Sequence, residues 1–291
     1  MSTDTTPAVR LTSALADYTG YLLRRAYARA ASCAGEALPA PTRLRDVLVL
    51  SMLEDAGPLS QQRLAELSGV NRTIVVKLID SLEDRGLVAR DRNPADRRSY
   101  ALVPTAAGRT ALAALQPAID RGEERLTAEL SAGERRRLNE LLGTLLTEAG
   151  SYLVGPLVER TGYLLSRAHV AIRARAAEAL APLSVEPRHF GVLSVLASAQ
   201  PCSQQQLATE LGISAPVALQ FVDELQDAGL VRRVRNAADR RAYDLTLTAK
   251  GDGLLRAAQK AAAALERELT ANLGQPAGQE LRRLLSKLLT G

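Results

Sequence analysis

Two stretches of this 291-residue chain place polar and basic side chains where they could meet a polyanion. In the first, Asn71-Arg72-Thr73 opens a segment that carries Lys77 one helical turn later, and Arg97 and Arg98 follow. In the second, Ser214-Ala215-Pro216 and Gln220 stand at the matching places, followed by Arg232, Arg233, Arg235, Arg240 and Arg241. Such groups hydrogen-bond base edges or neutralise phosphates, the first giving specificity and the second salt-dependent affinity. For catalysis the chain offers little. There is no Gly-rich phosphate loop, no His-Glu-x-x-His, no Cys-x-x-Cys and no nucleophile elbow. His169 and His189 are its only histidines. Cys33 and Cys202 are too few and too far apart for a zinc site or a disulfide framework. The expectation is a protein that binds rather than catalyses, with no cofactor and no metal.

Local patterns indicate how these residues are held. Ser60 is a candidate N-cap for a short helix Gln61–Leu67, and Asn71 for a helix Arg72–Arg85 with apolar face Ile74, Val75, Leu78 and Leu82. Gly86 ends that helix. Leu87–Asp91 and Arg98–Val103 read as strands joined by a tip containing Asn93-Pro94-Ala95-Asp96. A long first helix around Leu15–Tyr27, a helix over Asp46–Leu53, and two closing helices, Leu112–Leu130 and Arg135–Thr147, complete the series. A short helix, a glycine turn, a capped second helix and a basic hairpin make a winged helix-turn-helix. The second helix fits a major groove, and the hairpin tip reaches the adjacent minor groove.

The whole series occurs twice. TGYLLRRA at Thr19 recurs as TGYLLSRA at Thr161; QQRLAELSGV at Gln61 aligns with QQQLATELGI at Gln204. RNPADRRSYALVPTAAG at Arg92 aligns with RNAADRRAYDLTLTAKG at Arg235. The second copy takes Ser203 and Ser214 as caps, Gly229 as stop and Val234–Arg240 as wing tip. A unit of about 140 residues is far longer than a solenoid repeat. The duplication therefore divides the chain into residues 1–148 and 149–291. The expected fold class is mainly α with small β-hairpins (α+β): two winged helix-turn-helix domains joined through a helical, dimerisation-like region.

Asp239-Arg240-Arg241 followed by a strand and Leu247-Thr248-Ala249-Lys250-Gly251 resembles the signature of the MarR family of bacterial transcriptional regulators. Asp96-Arg97-Arg98 and Pro104-Thr105-Ala106-Ala107-Gly108 repeat it in the first half, with Pro104 in place of the usual Leu. The resemblance implies a regulator of double-stranded DNA, most simply a repressor. That family works as homodimers, so the duplication implies a monomeric chain with an intramolecular pseudo-two-fold. Under this reading the DNA-contact residues are Asn71, Arg72, Thr73, Lys77, Arg97, Arg98, Ser214, Gln220, Arg235, Arg240 and Arg241. The resemblance also implies a small anionic aromatic effector, held by a cation between aromatic walls. Its candidates by position are Tyr21, Tyr27 and Arg45, with Tyr163, His169, Arg188, His189 and Phe190 in the second copy. The alternative is a duplicated scaffold repurposed for small-molecule binding, with DNA binding reduced or lost.

Composition is compatible with this reading. A formal charge of +5 and a pI near 9.5 favour association with polyanions. Nearly all the basic residues are Arg, which alone proves nothing about function. The opening MSTDTTPAVR lacks the apolar core of a signal peptide, and no apolar run approaches the roughly 20 residues of a membrane span. A cytoplasmic location with no membrane partner is the expectation.

Overall fold

The computed structural model describes residues 15–68, 70–92, 100–148, 155–235 and 243–290. The first series is α1 (Thr19–Ala37), α2 (Leu44–Ala56), α3 (Gln61–Ser68), α4 (Arg72–Asp84), β1 (Val88–Arg92), β2 (Tyr100–Pro104), α5 (Ala106–Leu126) and α6 (Ala132–Glu148). A 3-10 turn, Gly155–Glu159, precedes the second series. That series begins with α7 (Thr161–Leu180), a 3-10 turn (Ala181–Leu183), α8 (Pro187–Ala199) and β3 (Cys202–Ser203). It continues through α9 (Gln204–Leu211), α10 (Ala215–Asp227), β4 (Val231–Arg235), β5 (Tyr243–Leu247), α11 (Ala249–Leu273) and α12 (Gln275–Leu289). The expected class is confirmed: a mainly helical chain with two small antiparallel wings, each beside a helix-turn-helix.

Compaction does not follow the repeats. One compact unit is Ala26–Ala171; the other joins Met1–Arg25 to Ile172–Gly291. The sequence boundary at 148 marks the duplication, whereas each compact unit takes the start of its first helix from the other copy.

In the unit Ala26–Ala171, α4 buries Val75, Leu78, Ile79 and Leu82, a spacing that puts all four on one face. That face packs on α3 and α2. Asn71 caps α4 by accepting from the Thr73 N–H at 2.8 Å, and Ser60 caps α3 through the Arg63 N–H at 3.1 Å. The wing pairs Val88 with Pro104 and continues to Arg92 opposite Tyr100. Leu138, Leu141, Leu142, Leu145 and Leu146 form the buried stripe of α6. The N-terminus of α7 lies against α5: Glu123 accepts from the Thr161 N–H at 2.5 Å and the Gly162 N–H at 3.2 Å.

The second unit solves the same problems with matched residues. Ser203 and Gln206 form a full capping box on α9. Leu281, Leu284, Leu285, Leu288 and Leu289 bury the stripe of α12. Glu266 of α11 accepts from the Thr19 N–H at 3.0 Å and its hydroxyl at 2.5 Å, and is held by Arg282 at 2.7 Å.

Thr105 and Gly108 show what the Thr-x-x-Gly motif does. The Thr105 hydroxyl donates to the Gly86 carbonyl at 2.7 Å and accepts from the Gly108 N–H at 3.0 Å. A Cβ on Gly108 would stand 2.0 Å from the Leu87 carbonyl oxygen. Thr248 and Gly251 repeat the arrangement, the added Cβ falling 2.1 Å from the Leu230 oxygen. The motif is a lock that joins the turn after α4 or α10 to the long helix behind the wing.

Several expected boundaries shift. Ser214 precedes α10 but makes no side-chain capping bond; Pro216 in the first turn has no N–H to offer. Helix α5 begins at Ala106 rather than Leu112 because Thr105 caps it there, and it ends by Thr127 rather than Leu130. Val234 and Arg235 belong to β4 and not to the wing tip, held by pairing to Asp244 and Tyr243. The short strand β3, which pairs Cys202 with Leu245, was not anticipated. Its counterpart in the other unit is a single bridge between Leu59 and Leu102.

Gly108→Ala and Gly251→Ala are expected to cost about 3 kcal/mol or more each, since backbone has to move. Gly35→Ala, in α1 with nothing within 4 Å of the new methyl, is expected to stabilise by about 0.5–1 kcal/mol. Urea unfolding of the three variants checks both signs.

Candidate nucleic-acid interface

Helix α4 turns Asn71, Arg72, Thr73, Ile74 and Lys77 outward, opposite its buried stripe. The predicted polar set of the first copy is thus brought to one solvent-facing surface at the helix start. Helix α10 is differently dressed. Ser214, Pro216, Val217, Leu219 and Gln220 face outward, with Val217 and Leu219 36% and 41% exposed. Gln220 donates to Glu224 at 3.0 Å, so its amide is already engaged.

The wings are built alike. Arg90 pairs with Asp80 at 2.8 Å and with Glu83, tying β1 to the outer face of α4. Arg233 does the same for β4, pairing with Asp223 at 2.5 Å and reaching Gln226 at 2.7 Å. Part of the wing's basic charge is therefore a brace between wing and reading helix. Arg232 donates to Thr246 at 3.1 Å across the hairpin. Arg92 and Arg235 are exposed at matched places, each opposite an exposed tyrosine, Tyr100 or Tyr243. Sequence reasoning overlooked both tyrosines and Arg92; their shared place in the register was the available signal. Arg97, Arg98, Arg240 and Arg241 lie outside the described residues.

Each reading helix is anchored to the helix before it, with opposite polarity. In the first copy the acid is on α2: Asp46, 4% exposed, pairs with Arg85 at the end of α4 at 2.5 Å. In the second the acid is on α10: Glu224 meets His189 at 2.8 Å and Arg188 at 3.4 Å, both from α8. The His189 hydrogen bond, then that of Gln220 and the charge of Arg188, hold the Glu224 carboxyl below the usual carboxylate range. Arg188 also lies over the Phe221 ring at 5.5 Å. The start of α1 grips the turn of the second helix-turn-helix. Arg25, 7% exposed, donates to the Glu210 carbonyl at 3.1 Å, Tyr21 reaches the same oxygen at 3.3 Å, and Arg24 takes the Leu211 carbonyl. Cations at a helix C-terminus satisfy orphan carbonyls and complement the dipole.

The predicted effector residues divide between the two units. Tyr27 and Tyr163 line one cavity of about 150 Å³ in the unit Ala26–Ala171. His169 stacks on Tyr27 with ring centres 5.0 Å apart. Aliphatic side chains form most of the wall, with Arg160 its cation. Arg160 already pairs with Asp120 at 2.6 Å. Arg45 is exposed and stands outside this lining. Tyr21, Arg188, His189 and Phe190 belong to the other unit, where Phe190 packs edge-on against Tyr18. Burial pushes both cysteine thiols up, which argues against a reactive thiolate at either. Among the described residues no group of three or more His, Cys, Asp or Glu could hold a metal ion, and no helix is long and apolar enough to cross a membrane.

Two models of the MarR family match the chain, one over residues 44–100 and one over 183–242. The HTH-type transcriptional repressor Rv2887 of Mycobacterium tuberculosis is 31% identical over 127 residues, which is 44% of this chain and 91% of that repressor. The chain belongs to the MarR family. A putative transcriptional regulatory protein for the hcr operon of Thauera aromatica is 39% identical over 97 residues, 33% of this chain; the match spans 58% of that protein's length. Among solved structures, the transcriptional repressor CouR bound to a 23-mer DNA duplex is 35% identical, covering 45% of this chain and 94% of that one, with TM-score 0.45. The M. tuberculosis protein in complex with salicylic acid is 31% identical with TM-score 0.38, covering 44% and 94%. The two MarR-family segments hold both helix-turn-helices and both Asp-Arg-Arg motifs.

Because the folded carboxyl of Glu224 is depressed, its contribution to stability is present above the ordinary Glu pKa of 4.5 and is lost as pH falls through the folded value. Glu224→Gln is therefore expected to be less stable than wild type at pH 7, with the gap closing below about pH 4.5. Urea midpoints across that range check the sign.

Proposed function

We propose that this chain is a DNA-binding transcriptional regulator of the repressor type, released from its operator by a small aromatic effector. The observation that carries the reading is the outward set Asn71, Arg72, Thr73 and Lys77 at the start of a capped helix braced to a basic wing. A helix so dressed offers hydrogen-bond donors to base edges, and the adjacent arginines neutralise phosphates. Relatives that are transcriptional repressors support the regulatory role. Two reading helices in one chain would serve two half-sites without association of separate protomers, making pairing independent of protein concentration. The halves differ, so the operator is expected to be asymmetric, with hydrogen-bonded base discrimination supplied by α4.

Selection of bound duplexes from a random library tests the reading. A motif spanning two adjacent major grooves is expected, and Arg98→Ala/Arg241→Ala should lose it. Weak, salt-sensitive binding without enrichment would overturn DNA recognition and favour the repurposed scaffold. Within the motif, Arg72→Ala should forfeit about 1–3 kcal/mol of discrimination. Gln220→Ala should forfeit little, since its amide already bonds Glu224.

The cavity between α1, α2, α5 and the start of α7 is the proposed effector site. An apolar space of about 150 Å³ accommodates a benzene-sized ring. Arg160, which pairs with Asp120, is the cation in the cavity wall that a carboxylate would meet there. Salicylate is expected to raise the melting temperature of the wild type and not that of Ala31→Phe, which fills the cavity. Equal shifts in both would place binding elsewhere.

A further inference from the structure

Helices α4 and α10 occupy equivalent places, yet α10 offers a groove almost no hydrogen-bonding charge. It has no Lys or Arg, and two of its three acids are drawn sideways: Asp223 to Arg233, and Glu224 to His189 and Arg188. Outward beside Ser214 and Gln220 stand Pro216, Val217 and Leu219, with Val217 and Leu219 more than a third exposed. Val217 and Leu219, two residues apart, stand on opposite flanks of the braced helix, where each would gain from a partner that offers an apolar group. In a major groove one base supplies such a group, the C5-methyl of thymine. The flanking β4 carries Arg232, Arg233 and Arg235, a basic border that suits a phosphate-lined partner better than a protein surface.

We propose that the second half-site is read by apolar contact, with Val217 and Leu219 of α10 packing on thymine methyls. This rests on the DNA-binding reading above and adds to it the chemistry of the second half-site. Burying one methyl against an aliphatic side chain accounts for about fourfold in affinity, from about 0.8 kcal/mol per buried carbon.

The test uses the full chain and a selected duplex in which deoxyuridine replaces thymidine, removing only the methyl. Wild type should bind the substituted duplex about fourfold more weakly for each contacted thymine. Val217→Ala/Leu219→Ala, two surface changes that leave the buried stripe intact, should bind both duplexes equally. Arg72→Ala/Lys77→Ala should keep the preference for thymine while losing affinity. Equal binding of both duplexes by wild type would overturn the inference and leave the DNA-binding reading standing. A preference that survives in Val217→Ala/Leu219→Ala would likewise overturn it. Failure to bind any duplex would overturn both.

Discussion

A carboxylate at the start of a neighbouring helix is the contact on which the architecture turns. Helix starts present backbone N–H groups with no partner of their own and a positive end of the dipole. Thr161 is fully buried and Thr19 nearly so, which removes water as a source of acceptors. Glu123 meets the need at α7 and Glu266 at α1, each projecting from the long helix that follows a wing. In both cases donor and acceptor come from different copies of the repeat. The contact can form only if the copies exchange their first helices, and the compact units follow that exchange.

The two heads keep the same scaffold and have divided its chemistry. The wing braces, Arg90 to Asp80 and Arg233 to Asp223, are preserved position for position. So are the Thr-x-x-Gly locks. The anchor to the preceding helix is kept in role but reversed in sign, with Asp46 and Arg85 in one copy and His189 and Glu224 in the other. Moving the acid onto α10 draws Gln220 and Glu224 into an internal pair and leaves an aliphatic front. The wing braces and Thr-x-x-Gly locks are retained, whereas the outer face of the helix, its cap and its anchor to the preceding helix have diverged.

Much of the fold was legible because it is local. Asn71, Ser60 and Ser203 cap where their side chains predict, and the buried stripes of α6 and α12 follow helical spacing, whereas in α4 the expected Ile74 is exposed and Ile79 takes its place in the stripe. The duplication itself needed only alignment of the chain with itself. What escaped depends on distant groups. Ser214 looks like a cap, yet its helix carries Pro216 in the first turn and the hydroxyl makes no capping bond. Tyr21 and Tyr27 sit on one helix and looked like one site, but they belong to different compact units, Tyr21 on the Glu210 carbonyl and Tyr27 on the cavity. Arg45 and Arg188 align in the repeat and are both exposed, and Arg188 pairs with Glu224 of α10. Alignment gives equivalent positions; it does not say which neighbours an exchanged helix brings to them.

Helix α2 connects the proposed effector cavity to the proposed reading head. Leu44, Val47, Leu48 and Ser51 form one wall of the cavity, while Asp46, between them in sequence, points away from it and holds Arg85 at the end of α4. A rigid helix cannot shift one face without the other, so an occupant that displaces the wall also displaces the anchor. The opposite wall is fixed more firmly, since Glu123 and Arg160 are engaged with the start of α7 and with Asp120. Strain from a ligand would therefore be relieved toward α2. Breaking the Asp46–Arg85 pair without disturbing the cavity would leave ligand binding intact and uncouple it from the orientation of α4, which separates a lever from a mere neighbour.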